Sequence, residues 1–221
     1  MNQRQVFGQV FTVETAIASF VFVTVLALLA TAVVRRRAGA GRQPSQRAER
    51  NRLESYYLAT LAAVAVFLVV YTALANQREQ ETKADRPTTR VDVTAFQWCW
   101  KFDYPGAAAR RAVSVQGNCR DQQFPTLVVP TGTTIKIRVT SKDVIHSMWI
   151  PALRYKMDAF PNHENTFTLS FDHEGHWRGR CAEFCGLRHR AMDFWVKAVS
   201  PEAYKKWLAT QAAGSATGAA V

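Results

Sequence analysis

The chain has 221 residues and a mass of 24.8 kDa, room for one large domain or two small ones. Hydrophobic residues make up 48% of it, yet the mean hydropathy is −0.14, so apolar residues crowd some stretches and avoid others. That distribution fits a membrane anchor joined to a water-facing domain and excludes a uniformly soluble globule. A net charge of +11 raises nucleic acid or an anionic membrane as a partner. Position decides against nucleic acid. Arg35, Arg36, Arg37, Arg42, Arg47, Arg50 and Arg52 all lie between the two most apolar segments, with Glu49 the one acid among them, which is a topology signal.

Residues 1–76 read as an N-terminal segment and a helix hairpin. Phe11 to Val34, with Glu14 as its single charge, is about as long as a bilayer-crossing helix needs to be. A cleaved signal peptide would carry its positive charges before the apolar run rather than after it. Tyr56 to Leu74 is a second, wholly uncharged span. Short arginine-rich loops stay cytoplasmic, so both chain ends and everything after residue 76 are expected on the outer side. Residues 77–90 are polar and read as a linker. Beyond them, Val91–Trp100, Thr126–Val129, Thr133–Thr140, Asn165–Phe171 and Phe194–Val199 are short β-rich stretches separated by Gly, Pro or Asp. They predict an all-β Greek-key barrel or sandwich over residues 91–200. Pro201–Gln211 reads as a short helix within the remaining 201–221, followed by a small-residue tail expected to lack order.

Chemistry concentrates in Cys181–Met192, CAEFCGLRHRAM, which offers Cys181, Cys185, His189 and Met192 at the spacing C-x3-C-x3-H-x2-M. Soft sulfur with imidazole selects copper or zinc over hard ions. A tetrahedral zinc site gains nothing from a thioether, whereas copper electron-transfer sites use a weak axial methionine, so Met192 points to copper. His146, in DVIHSMWIP, would bring a second imidazole from a distant strand, giving each of two coppers one histidine and two shared thiolates. The competing reading is a Cys181–Cys185 disulfide with the His and Met merely packed around it.

The chain resembles cytochrome c oxidase subunit II, the family with a binuclear CuA centre. The resemblance rests on AFQWCWKFDYP, the DVIHS segment and C-x-E-x-C-G-x3-H-x2-M, in that order, and it covers both helices and the outer, cupredoxin-like domain. It implies copper ligation by the side chains of His146, Cys181, Cys185, His189 and Met192 and by the carbonyl of Glu183. It also implies a magnesium or manganese ion on the Glu183 carboxylate at the boundary with a haem-copper catalytic subunit. Trp98 matches the tryptophan that receives electrons from cytochrome c, the alternative being aromatic packing on a face shared with Trp100. Glu54 matches an acid at a proton-path mouth, the alternative being a plain helix-start acid. His163, His173 and His176 fall on no ligand position.

Two departures stand out. Cys99 occupies a place more usually aromatic, and with Cys119 it is expected to form a disulfide on the oxidising side of the membrane. From Gln77 onward there are 20 Lys and Arg against 14 Asp and Glu, a net +6, so the expected donor is an acidic or membrane-tethered cytochrome. The implied activity is that of a terminal oxidase reducing oxygen, with the two-copper subunit of a nitric oxide reductase as the alternative. A quinol-oxidising subunit would lack the ligands, and a copper-delivery protein would have no use for Glu183.

Overall fold

The computed structural model describes residues 3–38, 51–82, 89–106 and 113–217. They form two compact units, Val6–Arg78 and the remainder of the chain from Glu79 onward with the first five residues.

The first unit is two helices, α1 (Gln3–Ala38) and α2 (Asn51–Thr82). Both are long and apolar enough to cross a membrane, and most of their described apolar side chains are exposed, Val6 being buried and others, Val13, Val64, Leu68 and Tyr71 among them, partly covered. Such a surface is stable against lipid rather than water. Thr12, Thr24, Thr31 and Thr60 each donate their hydroxyl to the carbonyl four residues back, which satisfies the one polar group these side chains bring. The single acid of the first span is also answered, because Thr72 Oγ1 donates to Glu14 Oε1 at 3.2 Å. Most of the arginine-rich connection, with Arg42, Arg47 and Arg50, lies outside the described residues. Helix α2 continues through Thr82, so the first six positions read as linker are helical; QREQET is polar but composed largely of good helix formers.

The second unit is a sandwich of two five-stranded sheets. One sheet joins β1 (Thr89–Phe96), β2 (Cys99–Tyr104), β3 (Val113–Gln116), β5 (Thr134–Ser141) and β8 (Asn165–Ser170) in the order β3-β2-β1-β5-β8. The other joins β4 (Thr126–Pro130), β6 (His146–Ile150), β7 (Tyr155–Ala159), β9 (Gly175–Cys181) and β10 (Asp193–Val199) in the order β4-β10-β9-β6-β7. The β1·β5 and β4·β10 pairs are parallel and the rest antiparallel, so each sheet is mixed. Alternation buries Val91, Val93 and Ala95 from β1 and Ile135, Ile137 and Val139 from β5 against Phe194, Val196 and Ala198 from β10. A last helix, α3 (Pro201–Thr217), packs Tyr204 and Leu208 on this core. It runs past Gln211 into the tail expected to lack order, carried by alanines.

One expected strand is in fact a hairpin. Val91–Trp100 breaks at Gln97 and Trp98, which form the turn between β1 and β2, so Trp98 and Trp100 do not share a strand face. Trp100 is wholly buried and Trp98 only half so. Strands β3, β6, β7 and β9 add to those read from sequence.

The core nearest the metal loop is aromatic. The Phe194 ring meets Trp100 edge-on at 5.3 Å and Phe102 at 5.7 Å, and lies over Gly179, its neighbour across the β9·β10 ladder. A Cβ at Gly179 would sit 2.1 Å from Phe194 Cζ, so glycine is what lets the ring lie flat there. Gly179→Ala is expected to cost about 1–3 kcal/mol through overpacking, read as a lower denaturant midpoint at unchanged slope.

Candidate metal centre

Three chain segments converge at one end of the sandwich. His146 opens β6, Cys181 closes β9, and the loop to Met192 carries Cys185 and a short 3-10 turn, His189–Ala191. The β6·β9 ladder pairs Met148 with Cys181, which brings His146 to the same end of the sheet although His146 and Cys181 are 35 positions apart in sequence.

Both thiols are free and buried, with their sulfurs 3.8 Å apart. A disulfide needs about 2.05 Å, so the competing disulfide reading fails here. His146 Nδ1 lies 3.9 Å from Cys181 Sγ, and His189 Nδ1 lies 3.6 Å from Cys185 Sγ. Met192 is wholly buried, its Sδ 3.8 Å from Cys185 Sγ. The Glu183 carbonyl oxygen is 3.3 Å from Cys181 Sγ. His146, Cys181 and Cys185 present ligand atoms within 4.8 Å of one another, a group able to hold a metal ion.

The imidazole of His146 is oriented by its second nitrogen. Nε2–H donates to Asp143 Oδ1 at 2.8 Å, an acceptor-only carboxylate, which leaves the Nδ1 lone pair facing the sulfur. Asp143 is itself fixed by the Gln97 N–H at 2.6 Å and by the Val144 N–H at 2.7 Å. Burial opposes a charge on His146, but hydrogen bonds to Cys181 and Asp143 outweigh it and raise its pKa. Burial likewise works against ionising Cys181; His146 and the neighbouring hydrogen bonds prevail and hold this thiol below the ordinary range. Burial and the adjacent Cys181 push the Cys185 thiol up. One thiolate therefore forms readily and the second waits for a cation.

Trp98 reaches the same loop from the β1–β2 turn. Its Nε1–H donates to the Cys185 carbonyl at 2.9 Å, and Gln97 Nε2 donates to the same oxygen at 2.8 Å. Gly186 makes this approach possible: its φ is +108° and a Cβ would fall 3.3 Å from Gln97 Nε2. Trp100 has a different role, its buried Nε1–H donating to the Met192 carbonyl at 3.3 Å. Glu183 is half-buried beside the thiols, and Glu54 sits in the first turn of α2. His163, His173 and His176 pack on Phe160, Trp177 and Trp195, away from the cluster. Cys99 and Cys119 are joined by a disulfide, tying the start of β2 to the 3-10 turn Cys119–Asp121. Sequence reasoning passed over Asp143 and Asp193; the first had a signal in its place three residues before His146.

Two buried thiols, two imidazoles and a thioether gathered at one end of a β-sandwich define a cupredoxin-like domain with a donor set able to hold metal, in the same chain as a pair of apolar helices. A family described as "Cytochrome C oxidase subunit II, periplasmic domain" matches residues 90–199. The chain is 31% identical over 238 aligned residues to the probable cytochrome c oxidase subunit 2 of Streptomyces avermitilis, covering 92% of this chain and 73% of that protein. It is 33% identical over 174 residues to cytochrome c oxidase subunit 2 of Cereibacter sphaeroides, covering 67% of this chain and 55% of that protein. The crystal structure of the periplasmic domain of subunit II of cytochrome oxidase from Bradyrhizobium japonicum superposes with a TM-score of 0.52 at 26% identity, covering 58% of this chain and 96% of that one. The chain belongs to the cytochrome c oxidase subunit II family.

Proposed function

We propose that this chain is the copper-bearing electron relay of a terminal respiratory oxidase, taking electrons from a cytochrome c and handing them to a haem-copper catalytic subunit that reduces oxygen to water. The observation that carries the reading is the pair of free thiols 3.8 Å apart, each with a histidine Nδ1 beside it. The donor set fits copper. Cys181, Cys185, His146 and His189, with Met192 and the Glu183 carbonyl, would together hold two copper ions. Bound there, a copper pair would supply one-electron transfer with little change of geometry, because the charge is shared over both metals and sulfurs.

The chain's own residues prepare that site. Asp143 fixes the His146 tautomer, burial keeps water from the sulfurs, and Trp98 links the outer surface to the Cys185 carbonyl through one hydrogen bond. Trp98 is the place where electrons arrive, and the buried Trp100 a packing residue. The Glu183 carboxylate would take a magnesium or manganese ion at the boundary with the catalytic subunit, since a hard cation is what an oxygen ligand beside metal thiolates can use. Glu54, at the start of α2, would stand at a proton path, with the arginine-rich loop cytoplasmic and both termini outside. The domain's net positive charge favours an acidic or membrane-tethered cytochrome as donor. The relatives named above are oxidase subunits, which favours oxygen over nitric oxide as the final acceptor.

The test is copper analysis and electron paramagnetic resonance on the purified full-length chain. Two coppers per chain sharing one unpaired electron is the expected result. One copper per chain, or two ions with separate signals, would refute the reading.

A further inference from the structure

Asp193 is a buried charge that ligation of the metal does not use. Its side chain is 3% exposed, and both of its oxygens are engaged by arginines of β9. Oδ1 accepts from Arg180 Nε at 3.2 Å and Oδ2 accepts from Arg178 Nη2. The two arginine side chains remain about half exposed, at 50% and 47%, so it is the carboxylate that is fully buried. Burying it costs several kcal/mol unless its partners hold it in good geometry, and an apolar residue would fill the same place with no such demand.

Its position in the chain gives the arrangement a use. Arg180 immediately precedes Cys181, Asp193 immediately follows Met192, and the two face each other across the β9·β10 ladder. The ion pair therefore closes the neck of the loop that carries five of the six proposed donors, all but His146. Inside that neck the Met192 carbonyl accepts from the Cys181 N–H at 3.0 Å and from Trp100 Nε1 at 3.3 Å. The Met192 N–H donates to the His189 carbonyl at 3.2 Å. Just outside it, the Asp193 carbonyl lies 3.8 Å from Cys119 Sγ of the disulfide. The backbone on both sides of the thioether is thus pinned, and Asp193 is the charged member of the set.

We propose that Asp193, clamped by Arg178 and Arg180, is a positioning residue that sets where the Met192 thioether stands relative to the thiolates, and thereby tunes the reduction potential of the metal centre. The inference rests on the ligand role assigned to Met192. A weak axial sulfur tunes potential through its distance and direction, so a neck that loosens by a fraction of an ångström is read directly in the redox couple.

The experiment compares copper-loaded full-length chains: the unaltered protein, Asp193→Asn, Asp193→Ala, Arg180→Gln and Met192→Leu. Copper content, paramagnetic resonance spectrum, reduction potential and thermal midpoint are measured for each. Asp193→Ala is expected to keep two coppers and to move the potential and spectrum in the same direction as Met192→Leu. Asp193→Asn, which retains one acceptor oxygen, moves them less. Should Asp193→Ala not fold, Asp193→Asn and Arg180→Gln decide by the same measurements. A lowered thermal midpoint with potential and spectrum unmoved would reduce the clamp to a structural ion pair and overturn the proposal alone. An unaltered protein that fails to hold two coppers with one shared spin would overturn the parent reading and this one together.

Discussion

Serine in place of Cys181 or Cys185 is expected to abolish binding of the paired metals while leaving the sandwich folded. A hydroxyl oxygen is a hard, neutral donor where the site needs a soft anion, so the affinity loss should exceed the ten- to hundred-fold that changes outside the ligand shell typically bring. The cost to the apoprotein is modest by comparison. Cys185 is 3% exposed, and a serine there buries a hydroxyl without an assured partner, worth about 1–3 kcal/mol. Copper content should fall below two per chain and the shared-spin spectrum should vanish, with the denaturation midpoint only moderately lower. The sign of the pH dependence follows from the thiols themselves. The thiolate is the ligand, and the Cys185 thiol is held above its ordinary pKa by burial and by Cys181, so copper must displace its proton. Loading in weak buffer should therefore release protons, and affinity should fall as the pH is lowered. Full copper content in either serine variant would remove the thiolates from the centre.

The candidate site was legible where its chemistry is local and opaque where it depends on neighbours in space. Cys181, Cys185, His189 and Met192 fall within twelve residues, and no ordinary packing motif explains that mixture. His146 could be joined to them because DVIHS is distinctive. Asp143 and Asp193 act through register and turn geometry, and a single acid in a sequence gives no hint of which imidazole or guanidinium it will meet. The fold divides in the same way. Residues 134–141 alternate strictly, and β5 was legible. Strand β9, GHWRGRC, alternates His176, Arg178 and Arg180 with Trp177, Gly179 and Cys181, but two of those inner residues are too small to mark a buried face until Phe194 is seen filling the space over Gly179. Gln97 and Trp98 read as strand because tryptophan favours strands. The Gln97 N–H is bonded to Asp143 and the Trp98 indole to the Cys185 carbonyl, and these long-range partners hold the turn instead.

Removing the Cys99–Cys119 disulfide by serine at both positions is expected to destabilise the outer domain by about 3 kcal/mol, the magnitude that chain entropy assigns to a loop of this size. The bridged residues are 20 apart in sequence. The bond also has neighbours that give it mechanical meaning. Cys99 follows Trp98 directly, and Arg188 of the metal loop donates to the Arg120 carbonyl at 2.9 Å, next to Cys119. The covalent link therefore ties the turn that carries Trp98 to a segment on which the ligand loop leans. None of the proposed ligands is touched by the double substitution, so copper content should stay at two per chain. The denaturation midpoint should fall by more than about 10 °C, at roughly 4 °C or more per kcal/mol for a domain of this size. Electron uptake through Trp98 should slow in the same variant, because the indole loses one of the anchors that keep its Nε1–H on the Cys185 carbonyl. Midpoints that coincide, with and without the bond, would show that the sandwich holds these segments without it.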